Sequence, residues 1–245
     1  MKRKFKLTMP LISLFLTLHL FTYGGGFNSP IYVKITATGS GDGSSWTNAM
    51  TNLQLAIDSA DVGDTIYVAA GKYLPTRLLG GDPVRSLTFY ISKDVVIYGG
   101  FSGEPGTEGS TTDRDPKLNL TTLSGDTGTP SDRSDNVFHV VYFDHVSDTT
   151  RLDGFIIADG NSFGGGGFDG TGTGIFNNAT VTRSNPIIAN CIIRNCSAQE
   201  SGGGMANYAA DGGTGNPWLI NCSFQNNDGS GGGGIMNYTD TEGEA

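Results

Sequence analysis

The feature that most limits what this chain can become is a segment it writes three times. Residues Gly202 to Tyr208 read GGGMANY and residues Gly232 to Tyr238 read GGGIMNY, with a fainter copy, GTGIFNN, at Gly172 to Asn178. The matching Asn falls at Asn177, Asn207 and Asn237, in two steps of 30. Between the copies lie NPIIANCIIRN (Asn185 to Asn195) and NPWLINCSFQN (Asn216 to Asn226), offset by 31. One such unit has too little apolar face to bury alone, so a fixed period near 30 marks a stack in which each coil covers the next. Aliphatic residues come in short runs, which suits strands better than long helices. Gly is 38 of 245 residues without a three-residue period, which excludes a collagen-like chain.

The start reads differently. Lys2, Arg3, Lys4 and Lys6 precede an apolar run from about Leu7 to Tyr23, followed by Gly24, Gly25 and Gly26. That is the layout of a secretory signal over residues 1–26, too short for a comfortable membrane span. The solenoid is then expected over residues 27–245. Losing the four basic residues takes the formal charge from −9 to −13. So acidic a chain lacks the basic face that nucleic acid needs. Its acidic side chains make Ca²⁺ the one cofactor to consider.

Taken in order, Ile31 to Ile35 reads as a strand. Leu53, Ala56, Ile57 and Ala60 then recur at helical spacing. Thr51 and Gln54 fit a capping box and Gly63 a stop, which predicts a short helix over Thr51 to Ala60 that lids the N-terminal end of the stack. Further strands are expected at Asp64 to Tyr73, Leu87 to Ile91, Val95 to Tyr98, Thr121 to Leu123, Val137 to Phe143 and Leu152 to Ala158. Ser102 to Leu118 is too polar for a core. In the matched blocks, Asp153-Gly154-Phe155 aligns with Asn190-Cys191-Ile192 and Asn221-Cys222-Ser223. Asn190 over Asn221 is expected to form an amide ladder that locks register. Cys191 and Cys222 are expected to be stacked neighbours in the core. A disulfide between them needs suitable Cβ geometry as well as closeness.

These residues resemble right-handed parallel β-helix proteins of the pectin-lyase-like type. They are closer still to the repeats of secreted bacterial β-helix proteins and of polymorphic outer-membrane proteins. Gly233-Gly234-Ile235 approximates the GGA-I element of those repeats without its Ala, and Phe224-Gln225-Asn226-Asn227 fits their F-x-x-N element. GDGSSWTNA, LQLAIDSADVGDTIYVAAGKY, VIYGGF, TTLSGD and LDGFII follow one another as in the N-terminal cap and first coils of such proteins. The resemblance implies an all-β, right-handed single-stranded parallel β-helix of about six or seven coils. It also implies a secreted protein or one on the outer-membrane surface of a bacterium. Relatives often continue into more coils and a sorting domain, so a chain ending in TDTEGEA just after a repeat begins is expected to be a fragment.

Function is harder to read, because this scaffold carries lyases, hydrolases, adhesins and tailspikes. Pectate lyases of the family use clustered Asp for Ca²⁺ with an Arg or Lys base. Polygalacturonases use N-T-D, D-D, G-H-G and R-I-K elements, none of which occurs here. Arg151 and Arg194 could serve as bases only beside an acidic cluster, and Asp153 is the one acid in the matched blocks. His139 and His145 lie in no recognisable motif. Glu104, Glu108, Asp113 and Asp115 sit in a long polar loop, and a catalytic carboxylate pair drawn from it competes with plain solvation. GGGGFDG (Gly164 to Gly170) matches one Ca²⁺ nonapeptide but lacks tandem copies. Tyr208, Tyr238 and Trp218 are candidates for stacking on sugar rings. No residue is assigned as catalytic, cofactor-binding or metal-ligating. The expectation is a non-catalytic surface protein contacting polysaccharide or a cell-surface glycan, with a polysaccharide lyase or glycoside hydrolase as the alternative.

Overall fold

Short apolar runs separated by Gly- and Asn-rich corners bring three strands into each turn of the chain. The computed structural model describes residues 29–239, apart from 83 and 108. The expected signal over 1–26 and the tail from 240 lie outside the described residues. The first sheet takes Ile31–Val33, Thr65–Ala69, Val96–Phe101, Arg151–Asp153, Ile187–Ala189 and Trp218–Ile220, in chain order. The second takes Gly71–Tyr73, Thr121–Ser124, Ile156–Ala158, Ile192–Arg194 and Ser223–Gln225. The third takes Leu87–Ile91, Val141–Asp144, Ile175–Asn178, Met205–Ala209 and Ile235–Thr239, edged by the antiparallel strand Arg77–Leu78. The remaining pairs are parallel, so the described residues form an all-β parallel solenoid of about six turns with one α-helix.

The corners explain the asparagines. Between first and second sheets the backbone must pass through the left-handed region once per coil. It does so at Gly154, Asn190 and Asn221, with φ of 86°, 52° and 52°. The next corner does the same at Asp159, Asn195 and Asn226. Asn and Asp tolerate that conformation better than other side-chain-bearing residues. This corrects the expected alignment by one residue. Asp153 pairs with Ala189, and Leu152 with Ile188, which leaves Gly154 level with Asn190 and Phe155 with Cys191. The corner selects for positive φ, not for the polar side chain that the sequence match favoured.

Inside, successive coils present Val33, Ile66, Ile97, Leu152 and Ile188 from the first sheet, and Phe89, Val141, Ile175 and Met205 from the third, to one continuous core. Each fully buried side chain of this kind contributes about 1.5–3 kcal/mol. Cys191 joins the core, and Cys191, Cys196 and Cys222 are all free thiols. The Gly triplets let neighbouring coils approach. A Cβ on Gly204 would come within 2.6 Å of both the Gly234 carbonyl oxygen and the Phe224 ring.

The helix runs Leu53–Ser59, and Leu53, Ala56, Ile57 and Ala60 enter the core as the spacing predicts. Its ends differ from expectation. Asn52, not Thr51, is the N-cap, its side chain accepting from Leu55 N at 3.1 Å. Gln54 does not close a capping box because it finds two better partners. Its Oε1 accepts from Tyr90 N at 2.9 Å and its Nε2 donates to Tyr90 O at 3.1 Å, so it stands in for a neighbouring strand. The stop is Ala60 in extended conformation, and Gly63 belongs to the turn beyond. The run expected from Val137 becomes a strand only at Val141, because Phe138 and His139 turn into the loop contacts described below.

Candidate functional site

Two outer faces carry aromatic rings, and the first is covered around Tyr32 and Tyr67. On the first sheet, Tyr32 (4 % exposed) and Tyr67 are covered by Trp46 (1 % exposed) and Phe101. The loop holding Trp46 also meets the loop beyond Phe101, with Trp46 Nε1 donating to Thr107 O at 3.3 Å. On the third sheet, Tyr90, Tyr142, Phe176, Tyr208 and Tyr238 form a column along successive coils. Tyr208 and Tyr238 lie face to face at 4.4 Å, so each ring occupies a face of the other. Tyr208 and Tyr238 thus form part of a packing ladder, and Tyr238 remains 39 % exposed. Trp218 stands apart, exposed on the last strand of the first sheet.

Beside this column stands Phe168. It is 53 % exposed and meets Tyr208 in a T-shaped contact at 4.8 Å. It comes from the Gly-rich segment GGGGFDG, whose end forms the 3-10 turn Gly167–Gly170. Phe168 and Tyr142 are shared by two clefts. One, of about 490 Å³, is completed by His145, Asn178 and Thr180 to Thr182. The other, of about 310 Å³, lies between the loop from Leu79 to Thr88 and the residues His139 and Asp169.

Arg85 braces Phe138, one of the residues that line the second cleft. Its guanidinium lies 4.2 Å from the centre of the Phe138 ring. It donates to the carbonyls of Asn136 (3.0 Å), Phe163 (2.8 Å) and Asn161 (2.6 Å). One side chain thus ties three loops together, and the planar fork of donors in arginine suits that task. On the floor, His139 is 6 % exposed and sits 4.9 Å from Phe176. Its Nδ1 is 3.1 Å from Gly172 O, and a carbonyl only accepts, so the proton is assigned to Nδ1. Nε2 then carries a bare lone pair, buried and without a partner, 3.8 Å from Asp169 Oδ1. Burial holds the His139 pKa below its ordinary 6.5, outweighing the Gly172 hydrogen bond and the Asp169 charge.

In the first cleft both nitrogens of His145 face acceptors, Thr180 O at 2.7 Å and Asp144 Oδ1 at 2.7 Å. Asp144 also accepts from Asn178 Nδ2 at 2.8 Å and from the Tyr90 hydroxyl.

The other candidates lie elsewhere. Arg151 and Asp153 meet, but as a structural clamp. Asp153 Oδ2 takes Arg151 at 2.6 Å and Oδ1 takes Arg114 at 2.6 Å, while Arg114 lies over the Tyr98 ring. Arg194 is exposed on the second sheet and takes no part in the clamp. Glu104, Asp113 and Asp115 stay in the long loop that Arg114 pins down, where Asp113 caps a 3-10 turn. Glu108 lies outside the described residues. Among the described residues no group of three or more His, Cys, Asp or Glu side chains is placed to share a metal ion.

Sequence reasoning missed Phe168, Tyr142 and Arg85. GGGGFDG drew attention as a Ca²⁺ motif, and the ring within it was passed over. The chain matches no family model, no curated protein and no solved structure.

Proposed function

We propose that this is a non-catalytic, secreted or surface-exposed solenoid that contacts a glycan through the outer face of its third sheet. The observation that carries the reading is the pair of clefts sharing Phe168, an exposed ring flanked by hydrogen-bonding side chains. Flat apolar faces beside fixed polar groups are what a sugar ring uses, since its C–H face packs on an aromatic and its hydroxyls need partners. The covering of the first-sheet face around Tyr32 and Tyr67 supports the choice of side. A solenoid gains a long rigid surface from stacking, which suits repeated contact with an extended polymer. We further place the fold in the right-handed pectin-lyase-like type. Parallel strands joined by crossovers are right-handed in the great majority of cases.

The test is a glycan array probed with the wild type and with Phe168→Ala. Retention of one glycan class by the wild type, reduced in the variant, supports the reading. Equal retention by both moves the contact elsewhere. Release of unsaturated product from polygalacturonate in the presence of Ca²⁺ would replace it with a lyase.

A further inference from the structure

We propose that His139 Nε2 and Asp169 form the polar anchor of the smaller cleft and together take hydroxyls of a single sugar ring packed on Phe168. The inference rests on the glycan reading above and adds which atoms the sugar meets.

The argument begins with an imbalance. His139 Nε2 is a buried acceptor with no donor, and the Asp169 Oδ1 that faces it at 3.8 Å is another acceptor. A buried polar atom left unpaired is costly, typically by more than a hydrogen bond gains. One hydroxyl donating to Nε2 supplies the missing partner, and a second on the same ring can donate to Asp169. While the ring is neutral its one proton stays on Nδ1, committed to Gly172 O, so Nε2 keeps its lone pair.

The surroundings narrow the donor to a neutral hydroxyl. Leu79, Leu87 and Phe168 make much of the cleft apolar. Arg85, stacked on Phe138 beside His139, already supplies a positive charge, which disfavours an ammonium ligand. A volume of about 310 Å³ equals roughly ten water molecules, room for one ring and not for a chain segment. Asp169 sits on a turn opened by Gly167 at φ 62°, so its carboxylate rides on a short glycine-rich segment beside the cleft.

Acidity gives a second handle. The ionisable groups around His139 are Asp169 from the Gly-rich turn, Arg85 from the loop before the third sheet and Tyr142 from the adjoining strand. Protonating His139 turns its acceptor into a donor aimed at Asp169, and the two then satisfy each other. The sugar competes with that proton. Because burial keeps the histidine neutral below 6.5, sugar binding persists through neutral pH and is lost on the acid side.

The experiment uses the full chain with the methyl glycosides of mannose, galactose and glucose, titrated by isothermal calorimetry. The ring ¹⁵N resonances of His139 are followed alongside. Binding by the wild type, weakened about tenfold in Asp169→Asn, is expected, because the amide places an N–H where the hydroxyl sits. The Nε2 resonance of an unprotonated nitrogen should move as the sugar saturates. His139→Gln serves as a second variant, and thermal unfolding of both variants checks that they fold. If wild type and Asp169→Asn bind equally while Phe168→Ala fails, the glycan reading stands and this anchor is wrong. If the resonances place the proton on Nε2, the anchor is wrong whatever binds. If no sugar binds the wild type, both readings fall.

Discussion

Asn177 donates its side-chain amide to Oδ1 of Asn207 at 2.7 Å, with both residues buried inside the solenoid. Each also secures a turn. Asn177 reaches Ser184 O at 2.9 Å, and Asn207 reaches Gly215 O at 2.6 Å. The repeated Asn of the GGG segment is therefore a buried fastener between one coil and the turn that closes it.

Removing that fastener should cost much more where it is buried than where it is open. Asn207→Ala leaves Asn177 and Gly215 with unpaired polar atoms and should destabilise by about 2–4 kcal/mol. Asn237→Ala, at the same repeat position but exposed on the last rung, should cost less than about 0.5 kcal/mol. Urea unfolding of the two variants measures the difference, and equal losses would show that the ladder is not what holds these turns.

Glycine offers a parallel comparison. Gly204→Ala drives a Cβ to 2.6 Å from the Gly234 carbonyl, while at Gly234 itself nothing lies within 4 Å. The first substitution should lower stability by about 2 kcal/mol or more through overpacking, and the second should stay within about 1 kcal/mol. Thermal unfolding of both would settle the matter, with similar melting shifts counting against close coil approach as the reason for the triplet.

Acid should loosen the long loop through one carboxylate. Burial raises the Asp153 pKa, but hydrogen bonds from Asn190, Arg114 and Arg151 outweigh it and hold the group below the ordinary 3.8. A depressed folded pKa means the stabilisation is complete above the unfolded value and is lost as pH falls through the folded one. Asp153→Asn should therefore cost about 3–5 kcal/mol at pH 7, by leaving buried charge on Arg114 uncompensated, and should flatten the acid limb of stability. Limited proteolysis should cut the variant between residues 102 and 118 first. An unchanged acid limb would assign it to other groups.

The thiols should separate by reactivity. Burial pushes Cys191 and Cys196 up, whereas the partly exposed Cys222 is drawn down to about 7 by its Cys191 neighbour. Iodoacetamide at neutral pH should label Cys222 alone in the native protein, and the other two only after unfolding. Mass spectrometry of the labelled peptides reads this, and equal labelling of all three would mean the core opens there.

How much of this was legible in the sequence depends on where along the chain one looks. From Ile175 to Met205 to Ile235 the third-sheet strands recur every 30 residues, and the repeat is plain. From Phe89 to Val141 the same step takes 52 residues, because that coil carries the loops around 102–118 and 126–136. The insertions hid the period without altering the rungs. The Asn190–Asn221 ladder could be foreseen, since equal spacing puts like residues over like, and it forms at 2.8 Å. The clefts could not. Phe138 of the second cleft is held by Arg85, which meets Asn136, Asn161 and Phe163, partners 51 to 78 residues away that share no motif. Likewise nothing in GGGGFDG announces that its Phe stands beside a tyrosine from the next coil.

That tolerance for unequal coils has a further meaning. A loop here leaves the stack at the end of one strand and rejoins before the next strand of the same coil, so the stacked strands fix both its ends however long it grows. Doubling such a loop costs only about 0.6 kcal/mol of closure entropy. The stacked frame and its excursions can thus vary on separate schedules, one conserved by geometry and the other free to be exchanged. A protein built this way can change what it meets without having to relearn how to fold.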